Sequence, residues 1–191
     1  VAVGLKGHIL GVDFPRELVY DKGWKAVWEE GAPTPAPVPE SLPTPPWPKK
    51  KPFTATGVDL KTWKQASLPY LVWAPIGKVP AEREIIRALK TLAKKADEVV
   101  IATDFDREGE LIGADARSIV LGVDASLPIR RARFSAITKD EIERAFAELT
   151  DVDDCLAQAG ESRQDIDLVW GAVLTRYLTT AKYSGFGNVK S

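Results

Sequence analysis

The residues best equipped for chemistry follow a short apolar run. Val99-Val100-Ile101-Ala102-Thr103 is continuous and largely β-branched, the pattern of a strand buried on both faces, and Asp104, Asp106 and Glu108 come directly after it. In open α/β sheets, reactive groups gather outside the carboxyl ends of the strands. Asp104 falls at that end. Asp106, two residues on, points the same way while the chain stays extended, and Glu108 follows as the chain turns into the next helix. Three carboxylates so close repel one another, and a hard, oxygen-preferring cation relieves the repulsion. Mg²⁺ is the natural candidate: it takes one or two carboxylates, keeps several waters and bridges to a substrate phosphate, which the neighbouring Arg107 would also attract. The competing reading is an acidic helix start favoured by the helix dipole. A lone DxD would suit that reading, whereas DxDxEGE behind a dry strand favours the metal.

Such a ledge needs a scaffold, and the flanking sequence supplies one. Ile85, Ile86, Leu89, Leu92 and Ala96 recur at helical spacing after Pro80, a residue suited to a first helical turn. A second helical period carries Leu111, Ile112, Ile119 and Val120, and Arg130 to Phe134 reads as another strand. Thr138 with Glu141 three residues on forms a capping-box pattern ahead of Ile142, Ala145, Phe146 and Leu149. A last helix is expected from about Leu156 to Lys182, with Gly185 just beyond it. The opening, with Val1 and Val3 alternating before Gly4, Gly7 and Gly11, reads as a strand, a turn holding His8 and a short extended piece. Alternation of this kind predicts an α/β fold, a mainly parallel sheet flanked by helices on both sides.

Composition narrows the class. The 191 residues carry 26 Lys plus Arg against 27 Asp plus Glu, a net charge of −1, which argues against a basic arm that coats nucleic acid indiscriminately and leaves room for a local basic groove. One Cys excludes an internal disulfide framework and a Cys-rich zinc site. No apolar run of about eighteen residues occurs and no secretory pattern opens the chain, so a soluble, cytoplasmic protein without membrane partners is expected. Nine prolines between Pro33 and Pro52 forbid a helix or central strand there, and residues 31–56 read as a polyproline-like insertion. That tract could serve a proline-recognising partner, or be a solvated loop. The six tryptophans are expected mainly as core or loop anchors, and Cys155 either packs as a small apolar residue or sits idle.

ATDFDREGELIG, from Ala102 to Gly113, resembles the metal-binding signature of the TOPRIM domain, and DxDREGE resembles that of type IA DNA topoisomerases in particular. GLKGHILGVDFP near the start, RARFSAIT from Arg131 to Thr138, Arg163 to Asp167 followed by Gly171 and Arg176, and the closing GFGNVKS occur in the family's order. The whole string is most similar to the family's archaeal-style branch. The resemblance implies a Rossmann-like TOPRIM domain over residues 1–150 and, over 151–191, the start of a helical DNA-binding region. It further implies Mg²⁺-dependent transient cleavage of one DNA strand through a 5′-phosphotyrosine, strand passage and resealing without ATP, acting on nucleoid DNA with the remaining topoisomerase domains.

The resemblance also distributes roles. His8 matches a Gly-His motif near the active site, against the alternative of a turn histidine that caps backbone groups. Arg163 and Asp167, four apart on a helix, would pair so that the carboxylate aims the guanidinium at a phosphate; by spacing alone they read as a surface ion pair. Arg107, Arg131 and Arg176 are the further expected contacts to single-stranded DNA. The family's first strand, with a Glu beside the metal, is expected ahead of Val1. Its nucleophilic Tyr is expected in a later domain, since Tyr20, Tyr70, Tyr177 and Tyr183 have contexts unlike it. The implied object is a fragment that would not cleave DNA alone. Three alternatives remain: a reverse gyrase module, a TOPRIM nuclease or primase, and a non-catalytic docking module that would ignore Mg²⁺.

Overall fold

The computed structural model describes residues 1–20, 24–29, 32 and 57–185. The proline-rich tract apart from Ala32, and the closing GFGNVKS beyond Gly185, therefore lie outside the described residues. In chain order the elements are β1 (Leu10–Asp13), β2 (Glu17–Tyr20), β3 (Trp24–Val27), β4 (Gly57–Asp59), a 3-10 turn (Gln65–Ser67), α1 (Leu68–Trp73), β5 (Gly77–Pro80), α2 (Arg83–Ala93), β6 (Val99–Asp104), α3 (Arg107–Leu121), β7 (Ile129–Phe134), α4 (Lys139–Ala147) and α5 (Asp154–Gly185). They form two compact units, Val1–Gly11 with Pro80–Gln164, and Val12–Val79 with Asp165–Ser191.

The first unit holds the expected α/β arrangement. β6 and β7 pair in parallel, from Val99 opposite Ile129 to Asp104 opposite Phe134, and parallel strands need a crossover, which α3 provides. Side chains alternate across this pair. Val99 and Ile129 join Ala93, Val120 and Leu127 on one face, where α2 and α3 pack, while Val100, Ala132 and Phe134 meet Ala145, Ile142 and Leu149 of α4 and its exit on the other. Ile9, Leu10, Ala116 and Ile119, with Ile85, Ile86 and Leu89 against them, complete the α2–α3 side. The strand is wetter than its composition suggests: Ile101 is buried but Ala102 is exposed.

Three local expectations are corrected. The first strand begins at Leu10, and Val1 to Val3 form none. α2 ends at Ala93, so Ala96 packs from the loop beyond it. α4 does start after Thr138, but without a side-chain cap: Glu141 is drawn instead to Arg144 at 2.6 Å and to the Ser135 amide at 3.4 Å.

The second unit carries the antiparallel sheet β3-β2-β4, with Leu18 opposite both Ala26 and Val58. Phe14, Leu18, Val58, Leu60, Leu68, Tyr70, Leu71 and Ala74 form its core, against which Leu168, Val169, Ala172 and Val173 of α5 pack at helical spacing. Burial raises the Tyr70 phenol above its ordinary value. Among the described residues, no helix is long and apolar enough to cross a membrane.

Glycine matters where backbone meets backbone. A Cβ on Gly109 would lie 2.2 Å from the Asp104 carbonyl oxygen, while one on Gly171, exposed in α5, would meet nothing within 4 Å. Urea unfolding should therefore separate them: Gly171→Ala gains about 0.5–1 kcal/mol from helix propensity, whereas Gly109→Ala loses about 1–3 kcal/mol to overpacking.

Candidate functional site

The site is built where β6 stops and α3 starts, entirely within the first unit. Asp104 is the last residue of the strand, and the Phe105 amide still donates to the Phe134 carbonyl at 2.8 Å, prolonging the ladder by one bond. Asp106 is the N-cap of α3: its backbone is extended (φ −146°) and its Oδ1 accepts from the Gly109 amide at 2.7 Å. Thr103 Oγ1 donates to the Gly109 carbonyl at 2.7 Å, closing the turn from the other side. Gly113, one turn along, lets α3 settle on the strand, since a Cβ there would meet Ile101 Cγ2 at 3.1 Å. The result is a ledge on which Asp104, Phe105, Asp106 and Arg107 are all exposed.

Glu108 has another setting. His8 Nε2 lies 2.9 Å from its Oε2, and Arg163 Nη1 donates to its Oε1 at 3.3 Å. Arg163 comes within reach because α5 approaches closely one turn earlier, where a Cβ on Gly160 would lie 2.8 Å from the Arg107 carbonyl oxygen. The His8 Nδ1 is buried without a hydrogen-bond partner among the described residues.

Below the ledge sits Arg131, fully buried. Its Nε donates to Glu110 Oε2 at 3.1 Å, its Nη2 to the Asp104 carbonyl at 2.9 Å, and its Nη1 to the Thr103 carbonyl at 3.0 Å and to the Ala132 carbonyl. Burial lowers the guanidinium pKa, and the negative charge of Glu110 opposes that shift. Glu110, equally buried, also accepts from the Asp153 amide at 2.7 Å, and Arg133 lies 3.6 Å from the same Oε1 with its guanidinium 5.2 Å from the Phe105 ring centroid.

The expected site residues thus part company. Asp104, Asp106, Arg107, Glu108, His8 and Arg163 share one neighbourhood. Arg131 does not face solvent: on a strand covered by α3, its guanidinium is turned inward to carbonyls and a carboxylate, which corrects the expectation of a phosphate contact. Asp167 and Arg176 belong to the second unit. Asp167 is exposed, and Arg176 is half-buried, donating to the Leu60 carbonyl at 2.6 Å with its guanidinium 5.6 Å from the Trp63 ring centroid; burial lowers its pKa. Glu110 and Arg133 were not foreseen, although an acid one turn into a glycine-bearing helix and an arginine on the covered face of a strand are signals of a buried pair.

Among the described residues, no three Asp, Glu, His or Cys side chains converge tightly enough to hold a metal. The reason is local: one Asp106 oxygen caps the helix and both Glu108 oxygens are engaged. The donor chemistry still fits Mg²⁺, which needs only one or two carboxylates: Asp104 is exposed at the strand end and Asp106 keeps Oδ2 outside the cap.

A family model described as Toprim domain matches residues 1–137. DNA topoisomerase 1 of Archaeoglobus fulgidus is 38% identical over 177 residues, covering 93% of this chain and 20% of the relative. DNA topoisomerase 1 of Thermoplasma acidophilum is 44% identical over 117 residues, 61% of this chain and 15% of the relative. DNA topoisomerase 3 of Caenorhabditis elegans is 37% identical over 123 residues, 63% and 16%. The chain therefore spans a fifth or less of the length of these relatives.

The double duty of Asp106 can be separated. Asn caps helices as well as Asp does, so Asp106→Asn should leave the unfolding free energy nearly unchanged, while Asp106→Ala should lose about 1 kcal/mol. Equal losses in both, by urea denaturation, would mean that the charge rather than the cap stabilises the turn.

Proposed function

This chain belongs to the Toprim domain family, and from that premise we propose that it is the acidic, metal-binding piece of a type IA DNA topoisomerase that relaxes negatively supercoiled DNA by transient single-strand cleavage. The observation that carries the proposal is the exposed pair Asp104 and Asp106, two residues apart at the carboxyl end of β6 and the start of α3, with Arg107 next in the chain. Asp104 and Asp106 would hold Mg²⁺, which when bound supplies charge neutralisation to the phosphate of a DNA strand. Arg107 and Arg163 would take phosphate oxygens of the strand. Glu108 keeps Arg163 near the ledge until a phosphate competes for it, and His8 holds the Glu108 carboxylate from the other side. Asp167 and Arg176, on α5, would also contact single-stranded DNA, within a helical region over 151–191 that follows a Toprim domain over 1–150. The setting proposed is nucleoid DNA in the cytoplasm, with the other domains of a longer topoisomerase as partners.

Two measurements test this. Calorimetric titration of the chain with Mg²⁺ should show weak binding that Asp104→Asn and Asp106→Asn abolish; heats unchanged in both variants would sink the metal assignment. Arg163→Ala should shallow the salt dependence of single-strand affinity by about 0.7 log units per log unit of salt, one phosphate contact's worth. An unchanged slope and affinity would leave Arg163 as a tether for Glu108 alone.

A further inference from the structure

We infer that Arg131 is the positioning residue of the acidic ledge: from beneath, it fixes the carbonyls of Thr103 and Asp104, with Glu110 as the counterion that lets it remain there. The inference rests on the reading of Asp104 and Asp106 as metal ligands and adds a residue that touches neither metal nor DNA.

A buried guanidinium needs acceptors for its donors. Only one of those of Arg131 is the Glu110 carboxylate. Two others are the last two carbonyls of β6, those of Thr103 and Asp104, at 3.0 and 2.9 Å. In a parallel pair alternate residues bond to the partner strand, here Val99 and Phe105, so the Asp104 carbonyl is turned from β7, and β6 pairs with no other strand among the described residues. Arg131 is thus a substitute ladder at the point where Asp104 must be aimed. The Asp104 carbonyl is also the atom that a Cβ on Gly109 would strike, so the guanidinium on one side and the α3 backbone on the other hold it in place. Glu110 extends the same tie to the Asp153 amide, just before α5. Arg133 provides an internal comparison, for it approaches Glu110 at 3.6 Å and its remaining hydrogen bond goes to the Asp151 carbonyl at 3.3 Å, away from β6.

The decisive variant is the pair Arg131→Met with Glu110→Leu, which removes the tie and both fully buried charges together while keeping the volume, and leaves Arg133 the Asp153 carboxylate and the Asp151 carbonyl. Mg²⁺ affinity by calorimetry and amide exchange without Mg²⁺ at Phe105 and Gly109 are read beside the melting temperature. The expected result is a melting temperature near that of the parent, Mg²⁺ affinity down by about tenfold or more, and faster exchange confined to the 104–109 turn. Arg133→Gln should bind Mg²⁺ as the parent does. Parental Mg²⁺ affinity and exchange in the folded double variant would overturn the inference. Should that variant not fold, Arg131→Lys, which keeps the charge but replaces the fork that reaches the two carbonyls from separate nitrogens by a single one, is read by the same two measurements with the same consequences. If the parent itself binds no Mg²⁺, the metal reading fails, and exchange alone decides: acceleration confined to the turn keeps Arg131 as its tie, and a uniform rise through α3 and β7 makes it an ordinary core pair.

Discussion

A positive charge sealed inside a protein must be matched on nearly every donor, and the first unit is arranged around meeting that demand at Arg131. The residue sits on the face of β7 that α3 covers, so its partners have to come from β6, from its own strand and from the helix. That fixes where α3 begins, because Glu110 must arrive one turn into it. It also fixes which residues of α3 are small: Gly109 and Gly113, one turn apart, are the places where helix backbone and strand come closest. An apolar pair of the same volume would fill this space without the desolvation cost of two buried charges. What it would not do is hold two carbonyls at the end of a strand.

Above that tie, three carboxylates of similar sequence context have separate physical roles. Asp104 is exposed at the strand end, Asp106 divides itself between solvent and the first turn of α3, and Glu108 is spanned by an imidazole and a guanidinium from distant parts of the chain. Spacing put them together; hydrogen bonding distinguished them. The close seat of Gly160 on Arg107 matters here as much as any charged group, since it brings α5, and with it Arg163, over the start of α3.

The outline of the α/β unit was legible because its signals are redundant: a β-branched run, an acidic break, a helical period, another strand. The position of Asp104 at the strand end followed from that outline. The inward orientation of Arg131 was also encoded, in its sharing parity with Ile129 on β7 opposite Ile101, but charge suggested solvent more strongly than alternation suggested the interior. The Thr138 and Glu141 pattern failed because a nearby arginine offered the carboxylate a charged partner in place of a backbone amide. The pairing of Glu108 with His8 and Arg163 spans 100 and 55 residues of sequence, and no local pattern specifies contacts at that separation. The strand expected at Val1 would have needed a neighbour to pair with, which alternation of two valines does not provide.

The partnering of Glu108 has an effect that reaches beyond the ledge. Salt screens exposed charges over about 10 Å at 0.1 M ionic strength, so an approaching polyanion feels the sum of nearby groups before it feels any one of them. Asp104, Asp106 and Glu108 alone would present three negative charges to a phosphate backbone. With Arg107 and Arg163 gathered among them, these five side chains sum to one, and a single bound divalent cation would reverse the sign. An acidic surface need not repel a polyanion at a distance when its own arginines are folded into it.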